Sequence, residues 1–220
     1  MSENPAAASA APDPAPAETE AETLLPASPS SSRMRVVLVA AAVTFGVLLL
    51  DQLTKVWALH SLEVGQPSRP VIGNFITFRL VFNPGAALGL GTDHTWVLSL
   101  LVLAVVGVLI AVIVRTRSLL WAVTLGALLG GALGNLGDRI FRAPGFLRGH
   151  VVDFIGYSNW FTGNVADIFI VAASVALALL ALFGLGLDGR RHHGAAAASK
   201  APSVESPVDA VDEADEEGSP

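Results

Sequence analysis

The sequence predicts an all-α membrane protein. It has four transmembrane helices, a small extracytoplasmic β-element between helices 1 and 2, and disordered tails at both ends. Three observations carry this expectation. Apolar residues make up 52% of the 220 residues, and nearly uncharged stretches close to 20 residues recur, the length a helix needs to cross roughly 30 Å of hydrocarbon. Charge is segregated: residues 1–32 hold five acids and no base, and residues 195–220 hold seven acids and one Lys. The formal charge of −6 therefore splits into −11 in the tails and +5 in the body, where twelve bases face seven acids. Finally, the chain has no Cys, which removes thiol nucleophiles, disulfides and Cys-based metal sites together. It also means that the chain cannot itself carry a lipid on Cys. Nothing in the charge pattern points to a nucleic-acid partner, whereas a basic membrane body suits anionic lipid headgroups.

Residues 1–32 are Ala, Pro, Ser and Glu with almost nothing to bury, so they read as disordered, and as too acidic and polar for a secretory signal. The body spans residues 33–190. Its first helix, about 35–60, joins Val36–Leu50 to Leu53–Leu59 and should act as an uncleaved signal-anchor. Arg33 and Arg35 before it argue for a cytoplasmic N-terminus, and Arg115, Arg117, Arg190 and Arg191 then fall on the same side. Lys55, Arg69, Arg79, Arg139, Arg142 and Arg148 fall opposite, so the asymmetry is mild.

The loop from Leu62 to Thr95 is too long for a simple turn. Its Asn74–Phe82 stretch alternates, bracketed by Gly73 and Asn83-Pro84-Gly85, which predicts a β-element resting on the outer bilayer surface. Helix 2, about 95–114, and helix 3, about 118–138, are joined by the minimal hairpin Arg115-Thr116-Arg117. Gly126, Gly130 and Gly134, four apart, line one face of helix 3 and invite close approach of another helix. Helix 4 covers about 165–187, and residues 191–220 form a second disordered, acidic tail.

Four of the body's acids sit at the margins of these helices or in the loops between them. Asp51 closes the first apolar run, Asp138 closes the third, Asp153 lies in the loop that follows, and Asp167 opens the fourth. Helices alternate direction, so all four emerge on one membrane face. An ionisable residue beside hydrocarbon is a functional-site hypothesis by default.

Each motif also has a purely structural reading. Asp51 and Lys55, at i and i+4, can be a local ion pair with Lys55 snorkelling outward, or can position loops and substrate at the active face. Phe82-Asn83-Pro84-Gly85-Ala86-Ala87-Leu88-Gly89 is a turn by chemistry, yet its Asn and small residues could hold an extended peptide. Asn135, Asp138 and Arg139 share a face; an Asp138–Arg139 pair would seal the helix end or support the site. Asp153 has apolar neighbours on both sides, and desolvation there would raise its pKa. Asn164 is a natural N-cap with Asp167 three residues on, so capping alone could explain that pair.

Two carboxylates in unequal environments on one water-accessible face suit aspartyl peptide hydrolysis. Asp167, at a helix end that favours ionisation, is the expected base, and Asp153 the expected acid. Competing chemistries are poorly supplied. There is no HExxH, no Ser stands in a nucleophile elbow, and His60, His94, His150, His192 and His193 are scattered at loop or interfacial positions where most read as solvated, with only His150 near Asp153. A proton-coupled transporter would want acids spaced through membrane depth. A non-catalytic scaffold would use each carboxylate only for a local cap or ion pair.

Taken together, DQLTK at 51–55, FNPGAALG at 82–89, GNLGDR at 134–139, VVDFI at 151–155 and NVAD at 164–167 closely resemble lipoprotein signal peptidase, the bacterial signal peptidase II family. The resemblance covers roughly residues 34–188. It implies a catalytic dyad at Asp153 and Asp167, with Asp51, Lys55, Asn83, Gly85, Asn135, Asp138, Arg139 and Asn164 as supporting residues. It also implies no metal or other cofactor, diacylglyceryl-modified prolipoprotein substrates cut before the lipidated Cys, and inhibition by globomycin. The implied location is the bacterial plasma membrane, with both termini cytoplasmic and the active site at the extracytoplasmic face. Leu88, Gly163 and Ile168 depart from the family's usual residues and bear on pocket shape and the start of helix 4.

Overall fold

The computed structural model describes residues 29–85 and 94–191. Most of both tails, His192, His193 and the 86–89 part of the FNPGAALG motif therefore lie outside the described residues. In chain order the elements are α1 (Pro29–Ser61), β1 (Arg69–Ile72), β2 (Ile76–Asn83), α2 (Thr95–Ile113), α3 (Leu119–Phe141), β3 (Val151–Tyr157), β4 (Phe161–Gly163) and α4 (Val165–Leu182). All four helices are long and apolar enough to cross a membrane.

The bundle is built around α3. Within its most apolar window 56% of residues are buried, against 11% for α4; α4 thus turns most of its surface outward, where lipid is the solvent. The Gly126–Gly130–Gly134 face explains the tight seating of α1 on α3. A Cβ on Gly126 would stand 2.6 Å from the Ala40 carbonyl oxygen, and one on Gly130 would stand 2.7 Å from that of Thr44. The predicted small-residue face is therefore a helix-packing surface. Thr44 Oγ1 donates to the Gly126 carbonyl at 3.0 Å across the same contact. Val36, Ala40, Val106, Leu109, Leu125, Leu129 and Leu136 fill the core between α1, α2 and α3.

Three helix ends differ from the sequence expectation. Helix α3 runs three residues past Asp138, because polar residues end a hydrocarbon span without ending a helix; Ala143-Pro144 follows its last turn, and a residue before proline disfavours the α region. Helix α4 stops at Leu182 rather than 187. Gly184 adopts φ 65°, its N–H bonds to the Ala181 carbonyl, and the Leu185 N–H reaches back to Leu180. That is a Schellman terminus, which a glycine at this position permits. At the other end of the chain, residues 29–32, expected in the tail, form the first turn of α1, with proline at its first position.

The largest correction concerns the sheet. The Asn74–Phe82 alternation does form a strand, but its long partner is not local. VVDFI, expected in a loop, is part of β3 and pairs antiparallel with β2, with Asn83 opposite Val151 and Val81 opposite Asp153. The four-stranded sheet has the order β1-β2-β3-β4. Ala58 of α1 and Leu62, just beyond its end, pack with Leu80, Val152 and Phe154 of the sheet, and this cluster clamps β2 and β3 onto the end of α1.

The parity argument holds at both ends of the bundle. Near the start of α1, Arg33 Nε and Nη2 donate to the Val114 carbonyl at the end of α2. Trp121 Nε1 donates to the Leu185 carbonyl just beyond α4, and Thr116 Oγ1 to that of Leu187. Asp51, Asp138, Asp153 and Asp167 gather at the opposite end.

Candidate active site

At the base of the site lies a buried charge cluster. Lys55, 0% exposed, places its ammonium 2.8 Å from Asp51 Oδ2 and 2.7 Å from Asp138 Oδ2. Its third bond runs to Asn135 Oδ1 at 3.1 Å. All three ammonium protons are thus engaged inside the protein, and the snorkelling expected of Lys55 does not occur. Helix α1 continues past it to Ser61, so Lys55 lies too far from the helix end to reach water when acids on α1 and α3 are closer. Asp51 also accepts from the Ala166 N–H at 3.0 Å and from Gln52 Nε2 at 3.0 Å, which ties α1 to the start of α4.

Asp138 does not pair with Arg139. Adjacent residues on a helix point about 100° apart, and Asp138 instead accepts from Arg142 Nε, one turn on, at 2.5 Å. Its other oxygen also accepts from the Val152 N–H at 3.2 Å, fixing β3 to α3. Arg139 turns toward the NPG turn, where Nη2 donates to the Gly85 carbonyl at 2.5 Å and Nη1 to that of Pro84 at 3.3 Å. Within that turn the Gly85 N–H donates to Asn83 Oδ1 at 2.9 Å. This bond leaves the Asn83 amide nitrogen free to face β3.

Above the cluster, Asp153 and Asp167 are joined through asparagines. Asp153 is 2% exposed, which excludes a solvated loop carboxylate. Its Oδ2 accepts from Asn83 Nδ2 at 2.9 Å, and its Oδ1 from Asn164 Nδ2 at 2.7 Å. Asn164 is fully buried and also forms the capping box with Asp167: the Asp167 N–H donates to Asn164 Oδ1 at 3.1 Å, and the Asn164 N–H to Asp167 Oδ2 at 2.9 Å. Capping and site-building are therefore one arrangement rather than alternatives. Asp167 Oδ1 remains and accepts from Asn135 Nδ2 at 2.9 Å. Asn135 Oδ1 in turn accepts from Asn164 Nδ2 at 3.1 Å.

Burial, and next the negative charge of Asp167, push the Asp153 carboxyl up to about 7, against the pull of the Asn83 and Asn164 amides and of Lys55. This is the direction expected from its apolar neighbours in the sequence. A proton is thereby available near neutral pH at a carboxyl that shares a hydrogen-bonding partner with a second carboxylate.

All ten sequence-predicted site residues meet in this one network. Gln52 and Arg142 also belong to it and were not among them. Arg142 was legible as the i+4 partner of Asp138, whereas Gln52, beside Asp51, gave no signal of its own. Of the departures from the family pattern, Gly163 leaves room at the dyad, since a Cβ there would stand 2.8 Å from Asp167 Oδ2. Ile168 is 46% exposed on the outer side of α4, and Leu88 lies outside the described residues. His60 and His94 are exposed. His150 is half-buried in a groove of about 570 Å³ shared with Leu59, Phe82, Phe141, Arg142, Ala143 and Pro144. That groove opens next to the site, as Phe82 precedes Asn83 and Arg142 holds Asp138.

Residues 43–183 match the family model described as Signal peptidase (SPase) II. The chain belongs to the signal peptidase II family. It is 50% identical over 148 residues to the lipoprotein signal peptidase of Bifidobacterium longum subsp. infantis, covering 67% of this chain and 80% of that one. The lipoprotein signal peptidase of Mycolicibacterium smegmatis is 48% identical over 174 residues, with 77% and 71% of the two chains covered. A solved bacterial membrane enzyme at 1.9 Å resolution superposes with a TM-score of 0.57 at 25% identity, over 65% of this chain and 92% of that one. The protein is thus a membrane-embedded peptidase that removes signal peptides from prolipoproteins.

Proposed function

We propose that Asp153 and Asp167 are the catalytic pair of this signal peptidase II, and that it cuts immediately before a diacylglyceryl-modified Cys. The observation that carries this reading is the Asn164 side chain, which bonds to Asp153 at 2.7 Å and to the backbone of Asp167 at 3.1 Å. It holds an acid and a base in one constellation, with Asp153 buried and Asp167 partly exposed. Asp167 accepts a proton from water as the water oxygen attacks the scissile carbonyl carbon. Asp153, protonated, donates a hydrogen bond to the carbonyl oxygen and stabilises the developing oxyanion. Collapse of the tetrahedral intermediate breaks the C–N bond, and the proton held by Asp167 passes to the leaving amine.

The other residues position this pair. Asn83 and Asn164 orient Asp153, and Asn135 orients Asp167. Lys55 and Arg142 together balance Asp51 and Asp138, Lys55 also holds Asn135, and Arg139 braces the Asn83–Gly85 turn. Residues 33–190 form the working unit. The arginines Arg33, Arg35, Arg115, Arg117, Arg190 and Arg191 lie at the end away from the dyad, which supports cytoplasmic termini and an extracytoplasmic site in the bacterial plasma membrane. A substrate anchored by acyl chains reaches such a site by lateral diffusion among membrane lipids. The apolar groove beside Phe82 offers those chains a wall, and globomycin is the expected inhibitor.

The test incubates purified enzyme with a lipidated and an unlipidated precursor, with and without globomycin. The expected result is cleavage of the lipidated form only, blocked by globomycin. Asp153→Asn and Asp167→Asn should each lower turnover by about 10²–10⁴ while remaining folded. Retained turnover in either variant removes the dyad, and equal cleavage of the unlipidated precursor removes the lipid requirement.

A further inference from the structure

The end of the bundle away from the dyad carries a cationic face that peptide cleavage does not use. Two sets of bonds assemble it. Arg33 Nε and Nη2 donate to the Val114 carbonyl at 3.1 and 2.6 Å, which brings the start of α1 to Arg115. Beyond α4, the Leu187 carbonyl accepts from the Arg117 N–H at 2.8 Å and from Thr116 Oγ1 at 2.9 Å. The Gly186 N–H donates to the Arg190 carbonyl at 2.9 Å, and Leu185 forms an antiparallel bridge with Arg191. Residues 183–191 are thereby folded back against the α2–α3 hairpin, with Gly189 at φ 81° making the turn.

These contacts place Arg33, Arg35, Arg115, Arg117, Arg190 and Arg191 at one end, all of them exposed. Among the described residues this end holds one acid, Asp188, whose Oδ1 accepts from the Arg190 N–H at 3.0 Å. The ion pairs among the described residues lie at the opposite end, on Lys55 and Arg142.

The chain itself supplies a complement. Residues 205–217 contain seven acids and no base, whereas the five acids before α1 are spread over residues 3–22. The dense stretch follows the arginine face directly along the chain, separated from Arg191 by residues 192–204. A connection of that length reaches at most about 45 Å, so the acids can cover a face a few helix diameters, of about 10 Å each, across.

We propose that the acidic stretch 205–217 docks on this arginine face and serves as its internal counter-ion. Anionic lipid headgroups compete for the same arginines, each contributing about 1 kcal/mol, but each binds singly. The tethered stretch presents its carboxylates together, at an effective concentration on the order of 1 mM, so engaging one arginine brings the others within reach. With the stretch in place the face keeps little net charge and gathers few anionic lipids. The proposal is independent of the assignment of the dyad.

The chain has no Cys, so Leu119→Cys and Ala214→Cys create its only two labelling sites. Leu119 is 43% exposed at the start of α3, two residues from Arg117, and Ala214 lies within the acidic stretch. The full chain is spin-labelled at both, placed in phosphatidylglycerol–phosphatidylcholine vesicles, and the inter-label distances are measured by double electron–electron resonance. A short-distance population should dominate at about 0.1 M salt and fall at least twofold at about 1 M, where the screening length is about 3 Å. Replacing the seven acids by Asn or Gln should lower it at least twofold without added salt. A distribution that responds to neither change overturns the proposal. So does a short-distance population seen only in pure phosphatidylcholine, which would mean that anionic headgroups hold the arginines. Its appearance only after Glu3, Asp13, Glu18, Glu20 and Glu22 are neutralised would give the face to the other acidic stretch, and likewise overturns it.

Discussion

Replacing Lys55 by Met probes the charge balance beneath the dyad. Met keeps the length and most of the volume of the side chain but removes three bonds, to Asp51 at 2.8 Å, Asp138 at 2.7 Å and Asn135 at 3.1 Å. Asp138 retains Arg142 as a partner. Asp51, fully buried, keeps only the neutral donors Gln52 and Ala166, so it is the stranded charge. Removing one partner of a buried ion pair costs roughly 3–5 kcal/mol, and the survival of Arg142 places the expected loss near the lower figure. For a body of this size that corresponds to a fall in melting temperature on the order of 10 °C, measured by tryptophan fluorescence during heating in detergent. The double variant Lys55→Met/Asp51→Asn removes the stranded charge and should recover at least half of the loss. A single variant that melts with the wild type, or a double variant no more stable than the single, would refute this account of the cluster.

Three further outcomes follow from the same geometry. Cleavage should decline as pH rises above about 7, because Asp153 then loses the proton that serves as the acid; a rate flat through pH 9 contradicts this. Folding raises the Asp153 pKa from 3.8, so its contribution to stability is complete below pH 3.8 and is lost as pH rises through about 7. In Asp167→Asn, isotope-edited infrared spectroscopy should find the Asp153 carboxyl titrating lower than in the wild type, since a neighbouring negative charge has gone, and an unchanged midpoint would exclude electrostatic coupling of the dyad. Gly134→Ala places a Cβ 2.5 Å from Asp51 Oδ2 and should cost roughly 1–3 kcal/mol by overpacking. Gly137→Ala, whose Cβ meets nothing within 4 Å, should leave the melting temperature level or raised, and equal losses in the two variants would show that helix backbone effects dominate.

Local chemistry made much of this protein legible in its sequence. Helix existence followed from the length of apolar runs, and the α1–α3 contact from glycines four apart, because both signals lie within a single element. The gathering of the four aspartates at one end followed from counting membrane crossings. Elevation of Asp153 was foreseeable from Val152 and Phe154 on either side, since desolvation by immediate neighbours is written in the chain itself.

What the tertiary structure decided were the long-range pairings. VVDFI carries no local mark that separates a loop from a strand whose partner, β2, lies about seventy residues earlier. Lys55 could have snorkelled or turned inward, and only the arrival of Asp138 and Asn135 from α3 makes the buried position satisfied. Asp138 chose Arg142 and Lys55 over its neighbour Arg139 because side-chain direction on a helix, not adjacency, determines which groups can touch. Asn164 shows the division most clearly: its capping role is encoded within four residues, whereas its bond to Asp153 exists only once β3 is folded against the start of α4.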